Sequence, residues 1–306
     1  MDQMTDALLF LVAARTASAA ATFETWRAVM LKNLLVHIPS ERSIRPIADS
    51  AISLAVMHAA HLDAVSFGFQ TTHVGLPVDG GAAVAAMFEM EYESALARAN
   101  AALAVFEAEA RNAGITYGVK SFTGCAAEVA ATVGTLARLY DLTVVLQPEP
   151  DRDTFDNTVP QEILFQSGGP VVFIPYTHKG PFEPKHIGIA WDGSRLAARA
   201  LRDAAPFLAR AQTVTIISVN EKEIPADVSA ATLKAHLARR ELAADTVLMS
   251  ADRVDIQPTI LSIAADTGLD LIVMGGYGHS RLNERILGGV TRGMLQSMTV
   301  PTLLSH

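Results

Sequence analysis

Three glycines near the C-terminus, Gly275, Gly278 and Gly288, follow the spacing G-x2-G-x9-G. Before them runs Asp270-Leu271-Ile272-Val273-Met274, a short apolar stretch bounded by Asp and Gly that suits a buried parallel strand. After them Val290 and Met294 stand four apart, as residues on one helix face do. Glycines between a strand and a helix let a ligand come close to the backbone. The start of a helix adds free N–H groups and a positive dipole end, so the chemistry that fits is anion binding, above all of phosphate. A purely structural turn can be written with the same glycines, and spacing alone leaves both readings open.

Such a loop needs a sheet to hold it. The second half of the chain predicts strands at about 186–191, 213–219, 246–250, 270–274 and 300–304. Helical segments lie between them; Ile256, Ile260 and Ile263-Ala264 have the period of one buried helix face. Strand–helix alternation implies right-handed crossovers onto a parallel sheet covered on both faces, an α/β doubly wound fold. Ligands on these sheets sit beyond the carboxyl ends of the strands, and Asp192, Val219 and Gly275 all fall at such ends. Asp192-Gly193-Ser194 also has a structural reading, a turn in which Asp192 or Ser194 caps a helix over Arg195–Leu208.

The first half repeats the plan. Lys32-Asn33-Leu34-Leu35-Val36-His37-Ile38-Pro39 aligns with Lys185-His186-Ile187-Gly188-Ile189-Ala190-Trp191-Asp192. Asp141-Leu142-Thr143-Val144-Val145-Leu146 aligns with the strand at Asp270, and each half closes on a proline-containing apolar strand, at Gly169–Ile174 and Val300–Leu304. The spacing between matched segments shrinks along the chain, which places an insertion in the first half around a long alanine-rich helix from about Ala82 to Asn112. Residues 1–29 are expected to be an extension outside the fold, residues 30–178 a first domain and residues 179–306 a second, joined at the breaker-rich Thr177–Pro184. The first domain lacks the anion-binding residues. Pro39 stands in place of Asp192, and Gln147-Pro148-Glu149-Pro150-Asp151-Arg152-Asp153 supplies carboxylates in place of glycines.

The glycine spacing, with Met274-Gly275-Gly276-Tyr277-Gly278-His279-Ser280-Arg281-Leu282, Ile286-Leu287-Gly288-Gly289-Val290-Thr291-Arg292 and the closing Val300-Pro301-Thr302-Leu303-Leu304, resembles the universal stress protein family. Ile187 to Ser194 is similar to that family's first strand and the turn after it. The resemblance implies a tandem protein of two Rossmann-like, adenine nucleotide α-hydrolase-like domains. The second would bind ATP or a related adenine nucleotide, with or without Mg2+, and the first would be degenerate. It implies contacts from Ala190, Asp192, Val219, Gly275, Gly278, Gly288, Gly289, Val290 and Thr291. The family usually has Ser or Thr after the third glycine; here Gly289 removes that hydroxyl and Thr291 is the nearest substitute. Family members associate through the closing strand, so an intramolecular pseudo-dimer of the halves is implied, with a further homodimer open. The implied role is stress-response regulation by nucleotide-linked signalling, any ATP turnover being slow and incidental. Two alternatives are a nucleotide-free interaction module and a weak ATP-hydrolysing or adenylyl-transferring enzyme.

Bulk properties narrow the partners. The chain has 306 residues, half of them apolar, and a net charge of −8, which argues against non-specific binding to nucleic acid or anionic membrane. Its single cysteine, Cys125, excludes an internal disulfide framework and fits a cytoplasmic location. No long uninterrupted apolar run predicts a transmembrane helix, and the Asp2- and Asp6-bearing N-terminus lacks the positive charge of a signal peptide. No G-x4-G-K-[S/T] occurs, and Arg281 stands where a dinucleotide fingerprint needs glycine. His58 and His61, three apart on an expected helix, lack a further convergent ligand for a metal. Cys125 is read as an inert residue at a helix start, and no catalytic residue emerges.

Overall fold

Leu34, Val36 and Ile38 of the first strand belong to one apolar layer and Leu35 to another, and all four are fully buried. Burial on both faces is what a parallel strand between two helical layers requires. The computed structural model describes residues 30–70, 81–276 and 289–306. The first half runs β1 (Asn33–Ile38), α1 (Arg45–His58), β2 (His61–Phe69), α2 (Gly81–Asn112), β3 (Tyr117–Gly124), α3 (Ala126–Ala137), β4 (Leu142–Leu146), α4 (Val159–Gln166) and β5 (Val171–Ile174). The second runs β6 (His186–Ala190), α5 (Arg195–Asp203), α6 (Ala205–Leu208), β7 (Thr213–Val219), α7 (Ala230–Ala238), β8 (Asp245–Met249), α8 (Ile256–Asp266), β9 (Leu271–Gly275), α9 (Val290–Ser297) and β10 (Thr302–Ser305).

All ten strands form one sheet in the order β3-β2-β1-β4-β5-β10-β9-β6-β7-β8. Within each half the strands therefore lie in the order third, second, first, fourth, fifth, and the halves meet fifth to fifth. That junction, β5 with β10, is antiparallel, pairing Phe173 with Thr302 and Val171 with Leu304; the other pairings are parallel. Residues of α1, α2, α5 and α7, such as Ile47, Phe106, Ala200 and Leu233, fill one layer. Val133, Ile163, Ile260 and Met294, from α3, α4, α8 and α9, fill the other. Each layer runs through both halves.

The matched segments make matched bonds. Asp141 Oδ2 accepts from the backbone N–H groups of Lys32 at 2.7 Å and Asn33 at 2.9 Å. Asp270 Oδ1 accepts from Lys185 and His186 at 2.9 Å each. In both halves a carboxylate at the start of the fourth strand satisfies donors at the start of the first. The long helix is present as α2, with 32 residues against 9 in α7, its counterpart between the second and third strands. It crosses β2 so closely that a Cβ on Gly68 would lie 2.1 Å from the Ala95 carbonyl oxygen.

Three local expectations are corrected. The helix expected over Arg195–Leu208 is broken at Ala204, because Pro206 lacks an N–H to continue the ladder. His61 opens β2 instead of continuing α1, and its Nε2 sits 3.1 Å from Asp63 Oδ1, so His58 and His61 share no helix face. The closing strand starts at Thr302 rather than 300, since Pro301 has no donor for the sheet. Residues 1–29 lie outside the described residues.

Candidate functional site

The first strand of the second half ends in a turn whose polar groups are arranged by the turn itself. Trp191 extends the β6 ladder, its N–H donating to the Ile217 carbonyl at 2.8 Å, while its indole Nε1–H donates to Val228 O at 2.7 Å. Asp192 is exposed, and its Oδ1 accepts from Ser194 N–H at 2.9 Å, forming an Asx turn. Gly193 has φ +70°, and a Cβ there would also lie 2.8 Å from Ile224 Cγ2, so conformation and space both require glycine. Ser194 Oγ accepts from Ala197 N–H at 3.1 Å and is the N-cap of α5. Ser194 is thus the cap, and Asp192 keeps a carboxylate facing solvent at the strand end.

Neighbouring strands bring the other residues to the same edge. Ala190 pairs with Ile217, which places Val219, the last residue of β7, beside the Asp192 turn. Asn220 follows in the left-handed conformation, φ 63°. Its side chain donates to Ala251 O at 2.9 Å and accepts from Ala251 N–H at 3.0 Å, fastening the ends of β7 and β8 together. The Glu221 carboxylate bonds the Ser218 hydroxyl and accepts from Ala230 N–H at 2.7 Å, where α7 begins.

Gly275 ends β9, opposite Ser305 of β10. A Cβ on it would lie 2.7 Å from Ala197 N and Leu196 C, so this glycine admits the first turn of α5 against the sheet. Close helix–strand packing, a role not foreseen for it, accounts for the residue without a ligand. Gly289 is the N-cap of α9 and has no side chain to occupy that helix's first N–H groups. Val290 is half-buried and Thr291 is buried in the first turn. The sheet thus brings Ala190, Asp192, Val219 and Gly275 to one edge, with Gly289, Val290 and Thr291 at the start of the helix after β9. Gly278 and Gly288 lie outside the described residues.

The equivalent edge of the first half is filled by its own chain. Asp156, 1% exposed, accepts from the backbone N–H groups of Ser40 at 3.4 Å and Glu41 at 2.8 Å, just after β1. Arg42 is buried beside it; its guanidinium donates to Asn157 Oδ1 at 2.6 Å and to Gln147 O at 2.7 Å. Glu41 Oε2 accepts from Thr154 Oγ1 at 2.5 Å and from Phe155 N–H at 3.2 Å. Together these bonds hold residues 147–157 across the strand ends.

Burial pushes the Asp156 carboxyl up to about 6, against the opposing pull of its backbone donors. Burial, with Arg42 adding to it, holds the His37 imidazole down at about 3. His37 is therefore neutral at pH 7, and its 3.8 Å approach to Asp156 is not an ion pair. The sequence shows the acidic stretch after β4, but Asp156, beyond it, carries no local sign that it will be buried. Among the described residues no group of three or more His, Cys, Asp or Glu converges as a metal site, and no helix is long and apolar enough to cross a membrane.

Residues 183–306 match the universal stress protein family. Universal stress protein MJ0577 of Methanocaldococcus jannaschii is 40% identical over 45 residues, which are 15% of this chain and 28% of that protein's length. A universal stress protein from Archaeoglobus fulgidus DSM 4304 has a similar structure, with TM-score 0.69 at 15% identity, covering 90% of this chain and 97% of that one. A functionally unknown protein, PA1789 from Pseudomonas aeruginosa PAO1, matches with TM-score 0.57 at 15% identity, covering 90% and 93% of the two chains. Likeness at that identity shows the shared fold. The family match thus covers the second half, residues 183–306, and the likeness over the rest of the chain is one of fold.

Proposed function

We propose that the second half binds ATP or a related adenine nucleotide, with or without Mg2+, and that the protein is a cytoplasmic stress-response regulator which signals through nucleotide occupancy. The supporting observation is the contrast at the strand ends. In the second half the Asp192 carboxylate faces solvent, and the N-cap of α9 is a glycine, which has no side chain of its own to bond the start of the helix. In the first half the amides after β1 already hold Asp156. In this reading residues 30–178 form a partner domain and residues 179–306 the nucleotide domain. Asp192 would hold the ribose, the backbone at Val219 the base, and the amides from Gly289 to Thr291 the phosphates. These fit an anionic nucleotide because a helix start carries partial positive charge. The antiparallel β5–β10 pairing occupies both closing strands within one chain, so a homodimer would need another surface.

Calorimetric titration with ATP and Mg-ATP is the test, and one site per chain is the expected result. At about 100 times the dissociation constant, ATP should add roughly 2.7 kcal/mol to stability. Asp192→Asn keeps an acceptor for Ser194 N–H while removing the charge, so it should weaken ATP with little change in the apo melting temperature. Two equivalent sites, or unchanged affinity in Asp192→Asn, would overturn the placement. No binding at all would favour the nucleotide-free module.

A further inference from the structure

At the opposite edge of the sheet, where β6 and β7 begin, a crevice of about 440 Å3 opens between the two halves. Its apolar lining is Val56 and Met57 of α1, with Pro181 and Pro184 of the connecting segment. Val56 is 56% exposed although α1 otherwise buries most of its apolar residues. Its polar lining is Lys185, Arg210, Gln212 and Glu183. Lys185 Nζ is 3.9 Å from Glu183 Oε2 across two half-exposed side chains, a loose pair. The Arg210 guanidinium has no hydrogen bond or ion pair among the described residues.

Two cations against one carboxylate make this lining positive on a protein whose net charge is −8. The field extends inward. His58, 2% exposed, has its imidazole held at about 4, first by burial and then by Arg210 and Lys32. The walls are also fixed in place. Ser53 Oγ accepts from Phe182 N–H at 2.8 Å and lies 3.2 Å from Phe182 O, tying α1 to the connecting segment. Phe182 is buried against Phe207, with ring centroids 6.4 Å apart.

We propose that this crevice binds an aryl carboxylate, its ring against Pro181, Pro184 and Met57 and its carboxylate at Arg210 and Lys185. Proline rings and a thioether offer a flat aromatic body favourable contacts, and guanidinium matches carboxylate in a forked geometry. The volume lies in the range of small-molecule sites. Since its walls come from both halves, such a ligand would join them at the edge remote from the candidate nucleotide site.

The test is titration of the full chain with 1-naphthoate, followed by calorimetry and ligand-observed NMR. Acetate and 1-naphthylmethylamine serve as controls that lack the ring or reverse the charge. Saturable binding of one naphthoate per chain is expected, with both controls at least about tenfold weaker. Arg210→Glu and Val56→Asp alter exposed side chains, so each should weaken naphthoate about tenfold at an unchanged melting temperature. Saturating ATP should leave the affinity unaltered. Absence of saturable binding, equal binding of the amine, unchanged affinity in Arg210→Glu, or competition by ATP would each overturn the proposal.

Discussion

The ends of β1 and β6 occupy equivalent places in the two halves, yet they treat their backbone donors in opposite ways. After β1, Ser40 and Glu41 N–H groups bond to a buried carboxylate brought from more than one hundred residues along the chain. After β6, the Ser194 N–H bonds to Asp192, two residues before it, and the carboxylate stays in solvent. One edge is satisfied by tertiary structure and closed; the other is satisfied locally and left accessible. A shared topology therefore supplies two equivalent edges, and a few side chains decide which of them is covered by its own chain.

The largest effect should come from removing the carboxylate that closes the first half. Asp156→Ala deprives two backbone donors of their acceptor and takes a stabilising charge from buried Arg42. Leaving buried polar groups unsatisfied costs about 1–3 kcal/mol each, so a loss of about 3 kcal/mol is expected in urea unfolding. A loss below about 1 kcal/mol would mean that water replaces the carboxylate readily and that the two edges differ less than their bonding suggests.

Gly275 tests the second edge. Replacing it with Ala puts a Cβ against the backbone of Leu196 and Ala197, atoms that cannot rotate away. Overpacking of this kind typically costs 1–3 kcal/mol, and about 2 kcal/mol is expected without any ligand. Loss of ATP affinity at full apo stability would show instead that the glycine serves ligand approach, as its spacing first suggests.

Much of this architecture is legible in the sequence because it depends on local periodicity. The apolar runs at Leu34, Val144 and Ile272 become buried strands, and the long Ala-rich segment becomes α2. Aligned Asp141 and Asp270 form the same bonds. What stays hidden depends on distant contacts. Gly275 reads as a ligand-loop glycine because the approach of α5 cannot be seen along the chain. Nothing local marks Asp156 for burial, which depends on Arg42 and the chain after β1. Gly278 and Gly288 belong to the most readable motif and lie outside the described residues, so their role rests on spacing and family.

The closed edge should also have its own pH signature. Asp156 is raised in the fold, so the stability it contributes is complete below the ordinary carboxylate range and is lost as pH rises through about 6. His37 is lowered, so its contribution is present above the ordinary imidazole range and is lost as pH falls toward about 3. Between about pH 6 and pH 4 the two oppose each other, the proton held by folded Asp156 offsetting the one taken up by unfolded His37. Asp156→Asn removes one side of that balance. As pH falls through this window, the variant should lose about 1.4 kcal/mol per pH unit relative to the unaltered protein. His58 titrates in both proteins and drops out of the comparison. Parallel stability curves from denaturant melts at several pH values would show that Asp156 exchanges its proton with water as a surface acid does.

The smallest effects belong to the open turn, where the comparison is sharpest. Ser194→Ala removes the N-cap acceptor for Ala197 N–H and should cost about 1 kcal/mol. Asp192→Asn keeps an acceptor for Ser194 N–H, and as an exposed substitution it should stay within about 0.5 kcal/mol of the unaltered protein. The assignment of roles predicts a crossing pattern. Ser194→Ala should move the melting temperature more than the ATP dissociation constant, and Asp192→Asn the dissociation constant more than the melting temperature. If both substitutions act only on stability, the turn is merely a helix start, and the exposed carboxylate loses its claim to a ligand. If both act only on affinity, the serine touches ligand as well and α5 is held chiefly by its packing against β9.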